Sequence, residues 1–117
     1  YIGGLVAYSN IQKINLLEVK EKTLLDHGAV SEKTAIEMAS GARKRFDSDV
    51  GISTTGIAGP EGGSPEKPVG LVYIGFSSKT ISKSYKFKFN HDRITNKMIS
   101  SQVALNILRK NIAKLIK

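Results

Sequence analysis

The sequence predicts an α/β fold: a single layered domain with a mixed β-sheet flanked by helices, spanning residues 1–117. Three observations predict it. Short β-rich runs alternate with apolar stripes at helical spacing, which favours helices packed on a sheet over segregated layers. One run, "VGLVYIGF" (69–76), is apolar on both faces, as a central strand covered on two sides is. The 117 residues, 40% hydrophobic and 24% charged, suit one hydrophobic core.

Each element follows from its own residues. "IGGLVAY" (2–8) alternates weakly and reads as a strand. Asn10 can cap a short helix running to Leu17, because its side-chain oxygen accepts an orphan N–H. "KEKTLLDHG" suggests a second short helix, with Gly28 able to turn left-handed past its end. Ser31 is a good N-cap for a longer helix, with Val30 and Ala35 placed as a hydrophobic staple. Ala35, Met38, Ala39, Ala42 and Phe46 repeat at helical spacing, so one stripe of that helix is buried. "DVGISTT" (49–55) is a strand with Val50 and Ile52 on one face. In 80–89 Ile81, Tyr85, Phe87 and Phe89 oppose Ser82, Ser84, Lys86 and Lys88. That is a half-exposed strand, joined to its predecessor at "SSKT". Asp92 then opens a final helix whose Ile94, Met98, Leu105, Leu108, Ile112 and Leu115 follow a 3-4 spacing.

Composition narrows the function classes. No apolar run approaches the roughly 18 residues needed to span a bilayer. The chain has no cysteine, which removes disulfide and thiolate chemistry from these residues and fits a cytoplasmic protein. The first residue, Tyr1, falls inside an expected strand, so the chain reads as a fragment. Residues 79–117 carry ten Lys/Arg against Asp92, whereas residues 1–78 carry eight cations against nine acids. A basic third suggests nucleic acid. Fourteen of the eighteen cations are lysine, whereas base readers lean on bidentate arginine, so a solvated surface is the favoured reading.

The chemistry concentrates in "TTGIAGPEGGSPEKPVG" (54–70), which holds all three prolines and five of the eleven glycines. A loop that bends its backbone against a ligand and then keeps that shape wants both residue types. It leaves the C-terminal end of a strand, the usual ligand side of an open α/β sheet. Its glycines allow an anion-binding nest of amides over Gly59–Gly63. The spacing matches neither the dinucleotide fingerprint nor the P-loop. Tyr8, Asn10 and Lys13 form a second cluster. A lysine acts as a base when desolvation lowers its pKa, and a neighbouring tyrosine can relay a proton; an unplaced Tyr and Lys are more commonly surface residues. His27 and His91 lack metal-ligand spacing, so no metal is expected, and no G-x-S-x-G elbow supplies a nucleophile.

"GGLVAYSNIQKINLL", "HGAVSEKTAIEMASGAR", "TGIAGPEGGSPEKPVGLVYIGF" and "HDR", in this order, resemble the C-terminal domain of the CinA (competence/damage-inducible protein) family. The resemblance runs from Tyr1 to about Leu108. It implies a nicotinamide mononucleotide (NMN) deamidase, releasing nicotinic acid mononucleotide and ammonia in pyridine nucleotide salvage. It also implies an upstream helix, strand and Ser-Cys-Thr-Gly-Gly turn with the nucleophilic serine, so the chain alone is expected to be inactive. By the same resemblance Tyr8 and Lys13 match the catalytic tyrosine and lysine. Thr55, the loop residues Gly56, Ala58, Gly59, Gly62 and Gly63, and Arg93 match the substrate-binding positions. His91 replaces the glycine of a Gly-Asp-Arg motif, and Lys97 stands where a second arginine is common. The implied enzyme uses no cofactor and no metal, is cytoplasmic and forms a homo-oligomer. The rival reading is a non-catalytic nucleotide- or DNA-binding module linked to competence or the DNA damage response.

Overall fold

The computed structural model describes residues 2–57, 59 and 62–116, with side chains through residue 114. Four helices and three strands follow in the order α1 (Asn10–Leu17), α2 (Glu21–His27), α3 (Glu32–Arg45), β1 (Val50–Gly56), β2 (Leu71–Ser78), β3 (Ser82–Lys88) and α4 (Arg93–Ile116). The fold is α/β, as the sequence predicts. The mixed sheet is not seen. Among the described residues it has three strands in the order β1-β2-β3, antiparallel throughout. The difference lies at residues 2–8, expected as a strand. They take no helical or strand structure, because a strand forms only where a ladder partner accepts its backbone groups.

The register places Thr55 opposite Tyr73 and Ile74 opposite Tyr85. β2 is the central strand, and Leu71, Val72, Ile74 and Phe76 are all buried. α3 lies on one face of the sheet and α4 crosses the other. Two hydroxyls of β1 fix the first face: Ser53 donates to the Ala35 carbonyl and Thr55 to the Ala29 carbonyl, each at 2.6 Å. Gly75 permits this closeness, since a Cβ there would collide with the Ala35 carbonyl oxygen. α1 and α2 pack on α3 rather than on the sheet, around Leu17, Val19, Leu24 and Met38. On the opposite face Val72 and Ile74 meet Ala104 and Ile107 of α4, with Phe87 and Phe89 stacked at 5.9 Å beside them.

The caps show how local sequence sets these bounds. Ser9, not Asn10, caps α1: its hydroxyl accepts from Gln12 N–H, and the Gln12 side chain accepts from the Ser9 backbone. This is the reciprocal S-x-x-Q box, and it outcompetes an isolated asparagine. Ser31 caps α3 by accepting from Thr34 N–H, as expected. Asp92 accepts from Thr95 N–H at 2.8 Å ahead of α4. α4 turns its small and polar side to the sheet: Asn96, Ser100, Ala104, Ile107 and Asn111 are buried. Its 3-4 apolar stripe faces elsewhere, with Ile94, Met98 and Leu105 at 73%, 59% and 63% exposure.

Candidate active site

Lys13 sits on the second turn of α1, one turn before Leu17, so the helix that buries Leu17 also buries Lys13. Only 7% of it is exposed. Its ammonium donates to the Ala7 carbonyl at 3.1 Å. A single carbonyl does not replace the water that an ammonium loses, and desolvation lowers the Lys13 pKa from its ordinary value. Lys13 is therefore not the surface lysine that its residue type makes commonest. Tyr8 follows the carbonyl that Lys13 grips, but its side chain is 87% exposed, and its N–H donates to Gln12 Oε1 at 2.8 Å. The described contacts tie Lys13 to the segment carrying Tyr8 without joining the two side chains.

The glycine-proline loop is clamped at its base. Ile57 N–H donates to the Leu71 carbonyl at 2.9 Å, and Gly70 N–H returns to the Ile57 carbonyl at 2.6 Å. Gly70 has φ +92°, and a Cβ there would overlap the Phe89 carbonyl oxygen, so only glycine fits. Within the loop Ser64 N–H bonds the Lys67 carbonyl and Ser64 Oγ accepts from Lys67 N–H, at 2.9 and 3.1 Å. The Lys67 ammonium reaches the His27 carbonyl at the end of α2, and Arg93 Nη1 donates to the Gly59 carbonyl at 3.1 Å. Gly59 and Gly62 both have positive φ. The loop thus spans from α2 to the start of α4. Ala58, a predicted loop contact, lies outside the described residues. Gly56 ends β1, and Gly62 and Gly63 lie exposed in the loop.

The predicted substrate contacts divide between the two faces of the sheet. Thr55 is buried on the α3 face, its hydroxyl engaged by Ala29. Its neighbour Thr54 points the other way, into a pocket of about 110 Å³ that it shares with Gly56, Val72, Asn96, Lys97 and Ser100. Arg93 opens the helix that supplies Lys97. No described contact joins Lys13 to Thr55 or Arg93. Sequence reasoning missed Thr54 and Lys67. The alternation of β1 was a signal for the first, because Thr54 shares a face with Ile52. Asp92 is held below the usual carboxylate range, first by the Thr95 backbone N–H, which fixes the start of α4 and with it Arg93. Among the described residues no group of three His, Cys, Asp or Glu gathers as metal ligands. Among the same described residues no helix is long and apolar enough to cross a membrane.

Fold and site together define a small α/β domain that presents a clamped glycine-proline loop and a basic helix start at one end of its sheet. The chain belongs to the CinA C-terminal domain family, whose model matches residues 1–112. A protein of Caldicellulosiruptor bescii described as competence-damage inducible is 53% identical over 109 residues, covering 93% of this chain and 26% of that protein. A CinA-like protein of Kosmotoga olearia is 47% identical over 118 residues, 99% of this chain and 28% of its own length. This chain therefore spans about a quarter of the curated relatives it matches. The crystal structure of competence/damage inducible protein CihA from Agrobacterium tumefaciens superposes with TM-score 0.86 at 36% identity, over 89% of this chain and 64% of that one. A CinA superfamily protein from Escherichia coli gives TM-score 0.82 at 37% identity, over 86% and 59%.

Proposed function

We propose that this domain is part of an amidohydrolase that converts NMN to nicotinic acid mononucleotide and ammonia, its nucleophilic serine expected before Tyr1. The observation that carries this reading is Lys13: a lysine that is 7% exposed, bonded to a carbonyl and lowered in pKa by desolvation. Burial disfavours the charged ammonium, and a general base must be able to lose its proton. Neutral Lys13 accepts the serine hydroxyl proton as the oxygen attacks the carboxamide carbon. It then returns that proton to the departing amine, which leaves as ammonia. Water attacks the resulting ester and frees the serine and the carboxylate product. Tyr8, on the segment that Lys13 grips, relays the proton or steadies the leaving amine. Arg93, Lys97 and the loop amides carry the phosphate, where charge-assisted bonds are strongest.

The test uses the longer polypeptide that includes the residues before Tyr1. Lys13→Met keeps the side-chain bulk and removes the proton acceptor, a step worth typically 10²–10⁴-fold in rate. Ammonia release from NMN is expected to collapse while calorimetric NMN binding persists. Arg93→Ala is expected to weaken binding by roughly 1.5–3 kcal/mol, a lost charged hydrogen bond, with a smaller loss in turnover. Wild-type turnover by the Lys13→Met variant refutes the base.

A further inference from the structure

The turn between α2 and α3 offers successive carbonyls at His27, Gly28 and Ala29, and side chains from different elements take each of them. The Gly28 carbonyl accepts from Ser31, the cap of α3, and from Thr34, at 3.1 and 2.7 Å. The Ala29 carbonyl accepts from Thr55 of β1 at 2.6 Å. The His27 carbonyl accepts from the Lys67 ammonium, 40 residues further along the chain. The bonds to Gly28 and Ala29 lock the turn to α3 and the sheet, which makes it a fixed point. The bond to His27 ties the glycine-proline loop to that point.

Both ends of that tie are shaped for it. His27 ends α2, and the carbonyls of a helix's last turn have no partner within the helix. A cation there satisfies one of them and meets the negative end of the helix dipole. Gly28 has φ +82°, and a Cβ on it would stand 2.7 Å from the Lys67 nitrogen. Glycine therefore both makes the turn and leaves room for the ammonium. On the loop side Pro65 and Pro68 bracket Lys67. Each proline fixes its own φ, and Pro68 also disfavours helical backbone at Lys67. Ser64 closes on the same residue, its N–H bonding the Lys67 carbonyl and its Oγ accepting from Lys67 N–H. A stiff segment thus presents this half-buried lysine to a rigid acceptor. A lysine that merely lies on the surface shows neither feature.

We infer that Lys67 is a positioning residue, whose bond to the His27 carbonyl holds the glycine-proline loop in the shape that captures the ligand's phosphate. It touches neither the phosphate nor the reacting atoms. The loop is tied at its base by Ile57, Gly70 and Leu71, and Arg93 holds its first limb at Gly59. Lys67 ties the second limb to the helical layer. Without that tie the amides of Gly62 and Gly63 lose their fixed spacing from Arg93, and fewer molecules present a loop ready for an anion. Apparent affinity falls in proportion to that fraction, whereas steps after capture are unaffected. The identity of the ligand rests on the deamidase reading; the tie itself does not.

Kinetics and hydrogen exchange on the longer polypeptide that includes the residues before Tyr1 test it. In Lys67→Met the KM for NMN is expected to rise about tenfold with kcat within about twofold of wild type, as a smaller competent fraction requires. Lys67→Arg keeps a cation able to reach the carbonyl and is expected to bring KM back to within about threefold of wild type. In the absence of ligand the Ser64 amide is expected to exchange about tenfold faster in Lys67→Met, while the Ile57 and Gly70 amides at the loop base keep their rates. An unchanged KM, or a loss confined to kcat, overturns the inference. So does a raised KM with unchanged Ser64 exchange, since Lys67 then contacts the phosphate itself. If even the wild-type polypeptide releases no ammonia from NMN, the deamidase reading fails, and Ser64 exchange alone decides whether Lys67 holds the loop.

Discussion

Replacing Lys13 with methionine is expected to stabilise the 117-residue chain at neutral pH. Two opposed quantities decide the sign. The ammonium's bond to the Ala7 carbonyl, at 3.1 Å, is worth about 1.5–3 kcal/mol as a charged hydrogen bond. Removing an ammonium from water costs several kcal/mol even after relaxation. Desolvation lowers the Lys13 pKa, so the folded state disfavours the charged form, and the expected sign is a gain for methionine. Methionine keeps the side-chain bulk in the buried site and removes the desolvation penalty. The pH dependence carries the same sign. Lys13 has a lower pKa folded than unfolded, so between the two values the unfolded chain holds more protons and stability rises with pH. The advantage of methionine is therefore full below the folded pKa and fades as pH rises towards the ordinary lysine value of 10.5. Urea unfolding followed by circular dichroism at pH 7 and near pH 10.5 measures both quantities. A methionine variant less stable at pH 7, or a difference that ignores pH, refutes a strained buried ammonium.

Gly70→Ala is expected to cost about 3 kcal/mol. Left-handed strain supplies about 1–2 kcal/mol, and displacement of the Phe89 carbonyl accounts for the rest; a loss under 1 kcal/mol in thermal unfolding means that the loop base is not clamped. Thr55→Val removes the hydroxyl that the Ala29 carbonyl accepts and is expected to lose about 1–3 kcal/mol by leaving that carbonyl unpaired. A variant of unchanged stability that fails to bind NMN would instead make Thr55 a ligand contact alone. The basic C-terminal third is expected to bind duplex DNA weakly, with affinity vanishing near physiological salt, since lysines contact phosphates without reading bases. Salt-resistant, sequence-selective binding in a filter or anisotropy titration would favour the DNA-binding module.

What the sequence shows well is whatever its neighbours in the chain decide. The Ser31 cap, the buried Ala35, Met38 and Ala39 of α3 and the doubly apolar β2 are local patterns; each is found, with β2 beginning at Leu71 rather than Val69. Ser9 was legible on the same terms, because Gln12 completes a capping box that Asn10 lacks. Residues 2–8 have the composition of a strand, but a strand exists only with a partner, and no short-range pattern supplies one. Lys13 lay between these cases. Its spacing of four from Leu17 puts it on the buried side of α1, but residue type alone argues for the surface.

The stripe of α4 teaches the converse. A helix can carry two faces fit for burial, and the more apolar one need not be the one that meets the sheet. The sheet-facing side holds Ser100 and Ala104 between Asn96 and Ile107, small enough to bring the helix close to Val72 and Ile74. Asn96 closes on both backbone groups of His91, and Asn111 donates to the Tyr85 hydroxyl and the Ile107 carbonyl while its buried Oδ1 has no partner among the described residues. Close approach requires small residues, whereas a seam for a second helix requires Ile, Leu and Met. The same helix satisfies both requirements on different sides. The apolar excess that Ile94, Met98 and Leu105 leave in water is thus placed where the sheet cannot reach it.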